Sequence, residues 1–370
     1  MTGLLDLPTP CLLLDLDILE RNVARMATAM ARHPGVILRP HMKTAKNAQV
    51  AEMAAPGKGP ITVSTLAEAR YFADHGFRDQ IYAVGIVPAK LDAVAALNAA
   101  GNAVKVITDD LDTAGAIAAH PGKLEALIEV DVGEARAGVA PDSDELLAIG
   151  AALGPRLAGV ASHSGHSYAG RSAAEMAAIA EAERAGVVRA AARLRAAGHA
   201  VRIVSAGASP TALYASHLEG VTEMRAGVYM LGDLFQGQIG THPLEDIAVT
   251  VLASVIGRYP ARGTVLLDAG ALALSKDRST QNAPRDWQFG RVLDLEGKPL
   301  PGEAMVVRVH QEHGEVRAAG DTPLPFDKLR VGARLRIAPN HACLTAAAHD
   351  RYHVLRGGRV VAEWLRCNYW

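Results

Sequence analysis

The stretch "VILRPHMKTAKN", residues 36–47, sets a β-rich apolar run, Val36-Ile37-Leu38, directly against Arg39, His41, Lys43 and Lys46. A short apolar run that ends in titratable groups reads as a buried strand whose C-terminal end carries chemistry, because a cation there must find a partner or lose its charge. The same unit recurs along the chain. Further runs stand at Ile61–Val63, Ile81–Gly85, Val104–Ile107, Leu124–Val130, Leu157–Ala161, Ala200–Val204 and Val221–Met224, giving eight candidate strands. Between most of them lie Ala/Leu/Glu/Arg segments of helical period, at Thr44–Ala54, Leu66–His75, Pro88–Ala100, Ser143–Ala152 and Ser172–Ala197. Strand alternating with helix eight times predicts an α/β fold built on a (β/α)8 barrel of the TIM type, in preference to an open doubly wound sheet.

After about residue 245 the texture changes to Val/Leu/Arg runs broken by Gly and Pro, at Ile247–Arg258, Thr264–Leu267, Ala304–His310, Arg334–Ile337 and Arg359–Trp364. That pattern predicts a mostly antiparallel β domain. The opening "PTPCLLLDLDILERNV" (8–23) reads as a lone strand followed by a helix whose N-cap is Asp15 or Asp17, and such a strand could join the C-terminal sheet.

Composition bounds the function. With 370 residues, 49% of them apolar, the chain can bury a large core without covalent staples. Lys+Arg number 38 against 39 Asp+Glu, so no net field points to nucleic acid or an anionic membrane, and a small molecule is the expected partner. Three cysteines, Cys11, Cys343 and Cys367, are too few for a disulfide framework and suit a reducing cytoplasm. No signal-peptide pattern and no run of about 18 apolar residues occurs.

Barrel catalytic groups come from the C-terminal ends of strands. Read there, the sequence offers Lys43 after the first strand, Asp131 and Arg136 after the fifth, and "SHSGHSYAG" (162–170) after the sixth. "SAGASPT" (205–211) follows the seventh, and Arg225 and Tyr229 the eighth. Gly207, Ala208 and Ser209 could turn successive N–H groups toward one anion, where a plain Ser/Gly turn is the alternative. Lys43, crowded by Arg39 and Lys46 at a helix N-terminus, would favour the neutral amine of a Schiff-base nucleophile; the alternative is a solvated lysine. An amine and an anion cradle together point to pyridoxal phosphate.

"APNHACLTAA" (338–347) puts His341 and Cys343 two apart, on one face if the segment is extended. Imidazole with thiolate suits zinc, and two protein ligands would leave the site open as a Lewis acid requires; a capped His beside a buried Cys is the alternative. His349 and His353 form a rival pair that reads as ordinary surface histidines.

Eight ordered motifs, "TPCLLLDLDILERN", "RPHMKTAKN", "EVDVGEARAGV" (129–139), "SAGASPT", "AGVYMLGD" (226–233), "LDAGALALSKDRS" (267–279), "QEHG" (311–314) and "PNHAC" (339–343), resemble one family. They are similar to the metal-dependent, alanine-racemase-like pyridoxal-phosphate enzymes acting on D-β-hydroxy amino acids: D-serine dehydratase, D-threonine aldolase and D-3-hydroxyaspartate aldolase. The resemblance implies a barrel of residues 20–245 and a β domain of 1–19 and 246–370. It implies Lys43 as the lysine that condenses with the cofactor aldehyde, and Arg136 as a catalytic group near the cofactor. Gly207, Ala208 and Ser209 become the phosphate cradle, with His163, Tyr168 and Tyr229 lining the cofactor pocket. His341 and Cys343 become the metal ligands, and a homodimer is implied. Dehydratases of this group resemble H-x-C with zinc, and aldolases resemble H-x-D with manganese or magnesium, so Cys343 leans toward zinc and dehydration. An aldolase giving glycine and an aldehyde is the alternative; a racemase and a non-catalytic cofactor carrier stand behind it.

Overall fold

The computed structural model describes residues 3–370, which fall into two compact units. One runs from Arg25 to Gly227 and includes Cys367–Trp370; the other joins the N-terminal residues up to Ala24 with Val228–Arg366.

Strand β1 (Cys11–Asp15) belongs to the second of these. The first holds β2 (Ile37–Pro40), β3 (Ile61–Val63), β4 (Asp79–Gly85), β5 (Ala103–Thr108), β6 (Ala126–Val130), β7 (Leu157–Ser162), β8 (Ile203–Ala206) and β9 (Glu223–Ala226). All pair in parallel in the order β2-β9-β8-β7-β6-β5-β4-β3, and a parallel bridge from His41 to Thr62 brings β2 back to β3. The eight expected strands are therefore present as a closing barrel. Helices cover the outer face, so β6 and β7 are buried along their whole length, which is why they read as unbroken apolar runs.

Two details differ from the sequence reading. Arg39, Ser205 and Arg225 lie inside strands rather than after them, because the barrel encloses a charged layer that an apolar criterion cuts off. The helix after the first barrel strand begins at Ala48, not Thr44, with the Asn47 side chain accepting the Val50 N–H at 2.9 Å and Lys46 turning through φ 49°. Lys43 and Lys46 thus sit in a loop ahead of a capped helix, and the expected conflict between cations and a helix N-terminus does not arise.

In the other unit, β10 (Val249–Tyr259), β11 (Thr264–Leu267), β12 (Arg291–Leu293), β13 (Met305–Val309), β14 (Gly314–Arg317) and β15 (Arg334–Ala338) close an antiparallel six-stranded ring. Beyond the ring, β1 lies antiparallel to β10 and parallel to β16 (Arg351–Arg356), which forms a hairpin with β17 (Arg359–Leu365). The opening strand does join the C-terminal sheet. Trp287, Leu234, Ile247, Met305 and Ala338 form one core of this unit, and Leu7, Cys11, Leu13, Leu252 and Leu355 another. Asp15 takes the cap expected of Asp15 or Asp17, its Oδ1 accepting the Ile18 N–H at 3.1 Å. Among the described residues no helix is long and apolar enough to cross a membrane.

Candidate active site

Strand ends of the barrel deliver a set of polar groups from separate elements. Arg39, in β2, is buried and bridges the Glu223 and Asp79 carboxylates, the first at 2.8 Å and the second at 3.0 Å. Lys46 pairs with Glu68, a carboxylate with no exposed surface. Each of these two cations thus has an acid partner, which the sequence alone did not show. Lys43 itself is exposed, with its N–H directed at His41 Nδ1 at 3.4 Å.

The field of Lys43 acts on two histidines. Burial holds His163 neutral, with its pKa pushed down to about 3; Lys43 and then Arg136 add to the effect, and a hydrogen bond to the Gly207 carbonyl opposes it. His41 is shifted the same way, first by burial and then by Lys43, Arg225 and His163. A neutral His163 facing the Gly207 oxygen at 3.2 Å must carry its proton on Nδ1, which leaves Nε2 as an acceptor. Lys43, His163, Arg136 and Gly207 are thus brought together at one end of the barrel. Arg136 is half-exposed, 3.5 Å from Glu134 and 3.7 Å from Glu129. Burial raises the Glu129 pKa and Arg136 opposes it.

Gly207 is fixed by sterics: at φ 126°, a Cβ there would lie 2.4 Å from the Arg225 carbonyl oxygen. Its N–H donates to Glu183 at 2.9 Å, and the Ala208 N–H donates to the Thr211 hydroxyl at 3.0 Å. Two of the three expected cradle N–H groups are therefore engaged within the protein. The Ser209 hydroxyl is buried without a partner, and so are the hydroxyls of Ser164 and Ser167 and Nδ1 of His166 in the loop that also holds His163 and Tyr168. Orphaned donors gathered at the C-terminal ends of β7 and β8 fit a phosphate-bearing cofactor.

The sequence reading named His41 only as a residue that orients the loop, and it passed over Glu183 and the full engagement of Arg225. Arg225 is enclosed, its guanidinium bonded to Ser205 Oγ and the Ser162 carbonyl; burial lowers its pKa, with Glu223, Glu183 and Glu129 opposing. Only its position after an apolar run pointed to it.

In the other unit, His341 is the N-cap residue of a short helix, Ala342–Ala347, and Cys343 is that helix's second residue. The segment is not extended, as the sequence suggested; the two side chains meet across the first turn, joined by a hydrogen bond. Burial works against a charge on His341, yet Cys343, Asp233 and Asp277 outweigh it and lift its pKa to about 9. An imidazole bonded to a thiol, within the field of the Asp233 and Asp277 carboxylates, is a donor pair that fits a divalent metal. Among the described residues no group of three or more His, Cys, Asp or Glu side chains is arranged to hold a metal. Tyr229, also in this unit, is buried with its hydroxyl unpartnered, and burial raises its pKa. The rival histidines separate: His349 Nε2 meets the Ala273 carbonyl at 3.0 Å, while His353 lies in β16, 3.3 Å from Glu363.

A family model described as the alanine racemase N-terminal domain matches residues 14–234, and a second, described as a putative serine dehydratase domain, matches 248–355. The chain belongs to this alanine-racemase-like family. Among curated members, it is 44% identical to D-threo-3-hydroxyaspartate dehydratase of Delftia sp., covering 99% of each chain. It is 31% identical to D-serine dehydratase of Dictyostelium discoideum, over 98% of this chain and 97% of the other, and 29% identical to 3-hydroxy-D-aspartate aldolase of Paracoccus denitrificans, over 97% and 91%. The solved structure of the Delftia dehydratase superposes on all of this family member with a TM-score of 0.96, at 42% identity and full coverage of both chains. D-threonine aldolase of Filomicrobium marinum gives 0.79 at 27% identity, covering 98% of this chain and 95% of the other. A cysteine-to-alanine variant of a D-threo-3-hydroxyaspartate dehydratase has been solved in a metal-free form, and a histidine-to-alanine variant of an enzyme of that name changes the residue two positions before that cysteine.

Proposed function

We propose that the chain is a pyridoxal-phosphate- and metal-dependent lyase that dehydrates D-β-hydroxy amino acids to a 2-oxo acid and ammonia. In this reading Lys43 and Arg136 are catalytic. Lys43, His163, Tyr168, Gly207, Ala208, Ser209 and Tyr229 hold the cofactor, and His341 and Cys343 hold the metal, with zinc favoured over manganese or magnesium. Bound in the barrel, pyridoxal phosphate supplies an electron sink for the bond broken at the α-carbon. A divalent cation at His341 and Cys343 supplies Lewis acidity for loss of a hydroxyl.

The chain's own groups account for the rest. The exposed Lys43 amine takes the α-proton in this reading, supported by the neutral imidazoles of His41 and His163, which add no competing positive charge beside it. His163 Nε2 is an open acceptor, and the half-exposed Arg136 guanidinium suits a substrate carboxylate. The Ser209 hydroxyl, buried and unpartnered, is the member of the expected cradle best placed to serve a phosphate.

The observation that carries dehydration over aldol cleavage is the imidazole–thiolate pair, soft ligands that favour zinc. The relative named as a D-threo-3-hydroxyaspartate dehydratase supports it, since the metal-free variant of an enzyme of that name lacks a cysteine two positions after a histidine. Incubation with D-serine, D-threonine and D-threo-3-hydroxyaspartate, followed by assay of 2-oxo acid, ammonia and glycine, tests the reading. Stoichiometric 2-oxo acid and ammonia are expected; glycine without ammonia overturns it in favour of the aldolase. A homodimer is part of the reading, and light scattering should return twice the 38.8 kDa chain mass.

A further inference from the structure

The His-x-Cys segment is held from behind by a carboxylate that belongs to neither a ligand motif nor a strand end. Asp233 is buried and caps the short helix Leu234–Gln238, its Oδ1 accepting the Gln236 N–H at 2.8 Å. Its other oxygen, Oδ2, accepts the N–H of Ala342 at 3.0 Å, and Ala342 is the residue between His341 and Cys343. Two backbone bonds run alongside, from Leu234 N–H to the Pro339 carbonyl at 3.0 Å and from Phe235 N–H to the Asn340 carbonyl at 3.2 Å. Asp233 is itself fixed, its own N–H donating to His242 Nε2 at 3.1 Å, while His242 Nδ1 donates to the Pro243 carbonyl at 2.6 Å. Gly232 makes room for that imidazole: at φ 63°, a Cβ would come within 2.8 Å of His242 Nε2.

We propose that Asp233 is a positioning residue for the metal: its carboxylate, clamped between two helix N-termini, sets the turn that aims His341 and Cys343 at one cation. Each carboxylate oxygen already receives a backbone N–H, and among the described residues no third ligand side chain is grouped with His341 and Cys343, so the side chain acts through the turn. Outer-shell groups of this kind change metal affinity about 10–100-fold when altered. The inference rests on the reading of His341 and Cys343 as ligands.

Two variants separate geometry from charge. Asp233→Asn keeps the helix cap, since its amide oxygen can still accept from Gln236, but turns an N–H₂ toward the Ala342 N–H and breaks the clamp. Ala342→Pro leaves the Asp233 charge in place and removes the N–H it receives, at the first helical position, where proline is compatible with the fold. Zinc affinity of the cofactor-loaded protein is measured by competition with a chromogenic chelator, with thermal midpoint and cofactor absorbance recorded alongside. Both variants are expected to bind zinc about 10–100-fold more weakly while keeping wild-type cofactor absorbance and a midpoint within a few degrees. Zinc affinity within threefold of wild type in Asp233→Asn, or a loss in Asp233→Asn that Ala342→Pro does not share, overturns the proposal. So does parallel loss of cofactor. His341→Ala is the control: if it leaves zinc affinity unchanged, the ligand reading fails first, a result distinct from failure of Asp233 alone.

Discussion

The Lys46 ammonium is paired with the buried Glu68 carboxylate, three residues past Lys43, in the loop that carries the proposed catalytic amine. The backbone of Lys46 is held as well: its N–H donates to the Met42 carbonyl at 2.7 Å, and its own carbonyl accepts the Cys367 N–H at 2.7 Å. Lys46 adopts φ 49°, a left-handed conformation that costs a non-glycine residue free energy and persists where surrounding contacts over-determine it. Glu68 also receives the Ser64 N–H at 2.8 Å, so both its oxygens are engaged.

Glu68→Gln should therefore strip the partner from a mostly buried ammonium and destabilise the protein by about 3 kcal/mol. Adding Lys46→Met should restore part of that loss, because the stranded charge is gone. Urea unfolding of the two variants measures both effects, and an unchanged midpoint for Glu68→Gln would contradict the ion pair's role.

The histidines of the barrel end set an acid limit. A free histidine titrates near 6.5, and His163 in the folded chain near 3, so between those values the unfolded state binds the proton and the folded state does not. Stability from this group is whole above about pH 6.5 and is lost as pH falls toward 3, with a slope approaching 1.4 kcal/mol per pH unit for each such histidine. His41 acts in the same direction. Denaturant titrations from pH 7 to 4.5 should show the fall, and His163→Asn should flatten it; an equal slope in the variant would remove His163 as the source.

Gly207→Ala should cost about 3 kcal/mol, since the new methyl meets the Arg225 carbonyl oxygen at a backbone angle that alanine disfavours. Cofactor absorbance should drop with it, as Ser209 follows two residues on. A thermal midpoint equal to that of wild type would show that the strand end moves aside freely.

Cys343→Asp replaces a soft ligand with a hard one at an unchanged spacing. Zinc affinity should fall at least tenfold and manganese should bind better relative to zinc. Product analysis should show glycine rising as ammonia falls; a variant that still prefers zinc and yields only 2-oxo acid would separate ligand softness from reaction choice.

Apolar runs located all eight barrel strands because burial on both faces leaves a continuous signal, whereas in the C-terminal sheet they found β10, β11, β13, β15 and β17 and missed the short or mixed strands β12, β14 and β16. What they could not show was where the polar lining begins. Arg39 and Arg225 looked like loop residues because a strand is expected to end at its first charge, whereas here Glu223 faces both, from the neighbouring strand for Arg39 and from two residues earlier in the same strand for Arg225. Asn47 shortened the predicted helix by capping it, a signal that stood in the sequence as a favoured N-cap type and was outweighed by the periodicity around it. The His341–Cys343 pair was found from residue chemistry, but by way of an extended geometry that the chain does not adopt. Asp233 was invisible as a partner, since its bond to Ala342 spans 109 residues and leaves no local pattern.

Strand β1 lies between β10 and β16, and Cys367 bonds to Lys46, so residues 11–15 and Cys367 each take their places against segments far away in the chain. On the ribosome β1 and then the eight parallel strands emerge before β10–β17, and the parallel strands can assemble while the remainder is still being made. Residues 11–15 must wait for more than two hundred others before either neighbour exists. The loop that carries Lys43 receives the Cys367 bond only after the strands of both units have been made, so protease resistance of that loop should rise once residue 367 is included and be absent from chains stopped before it.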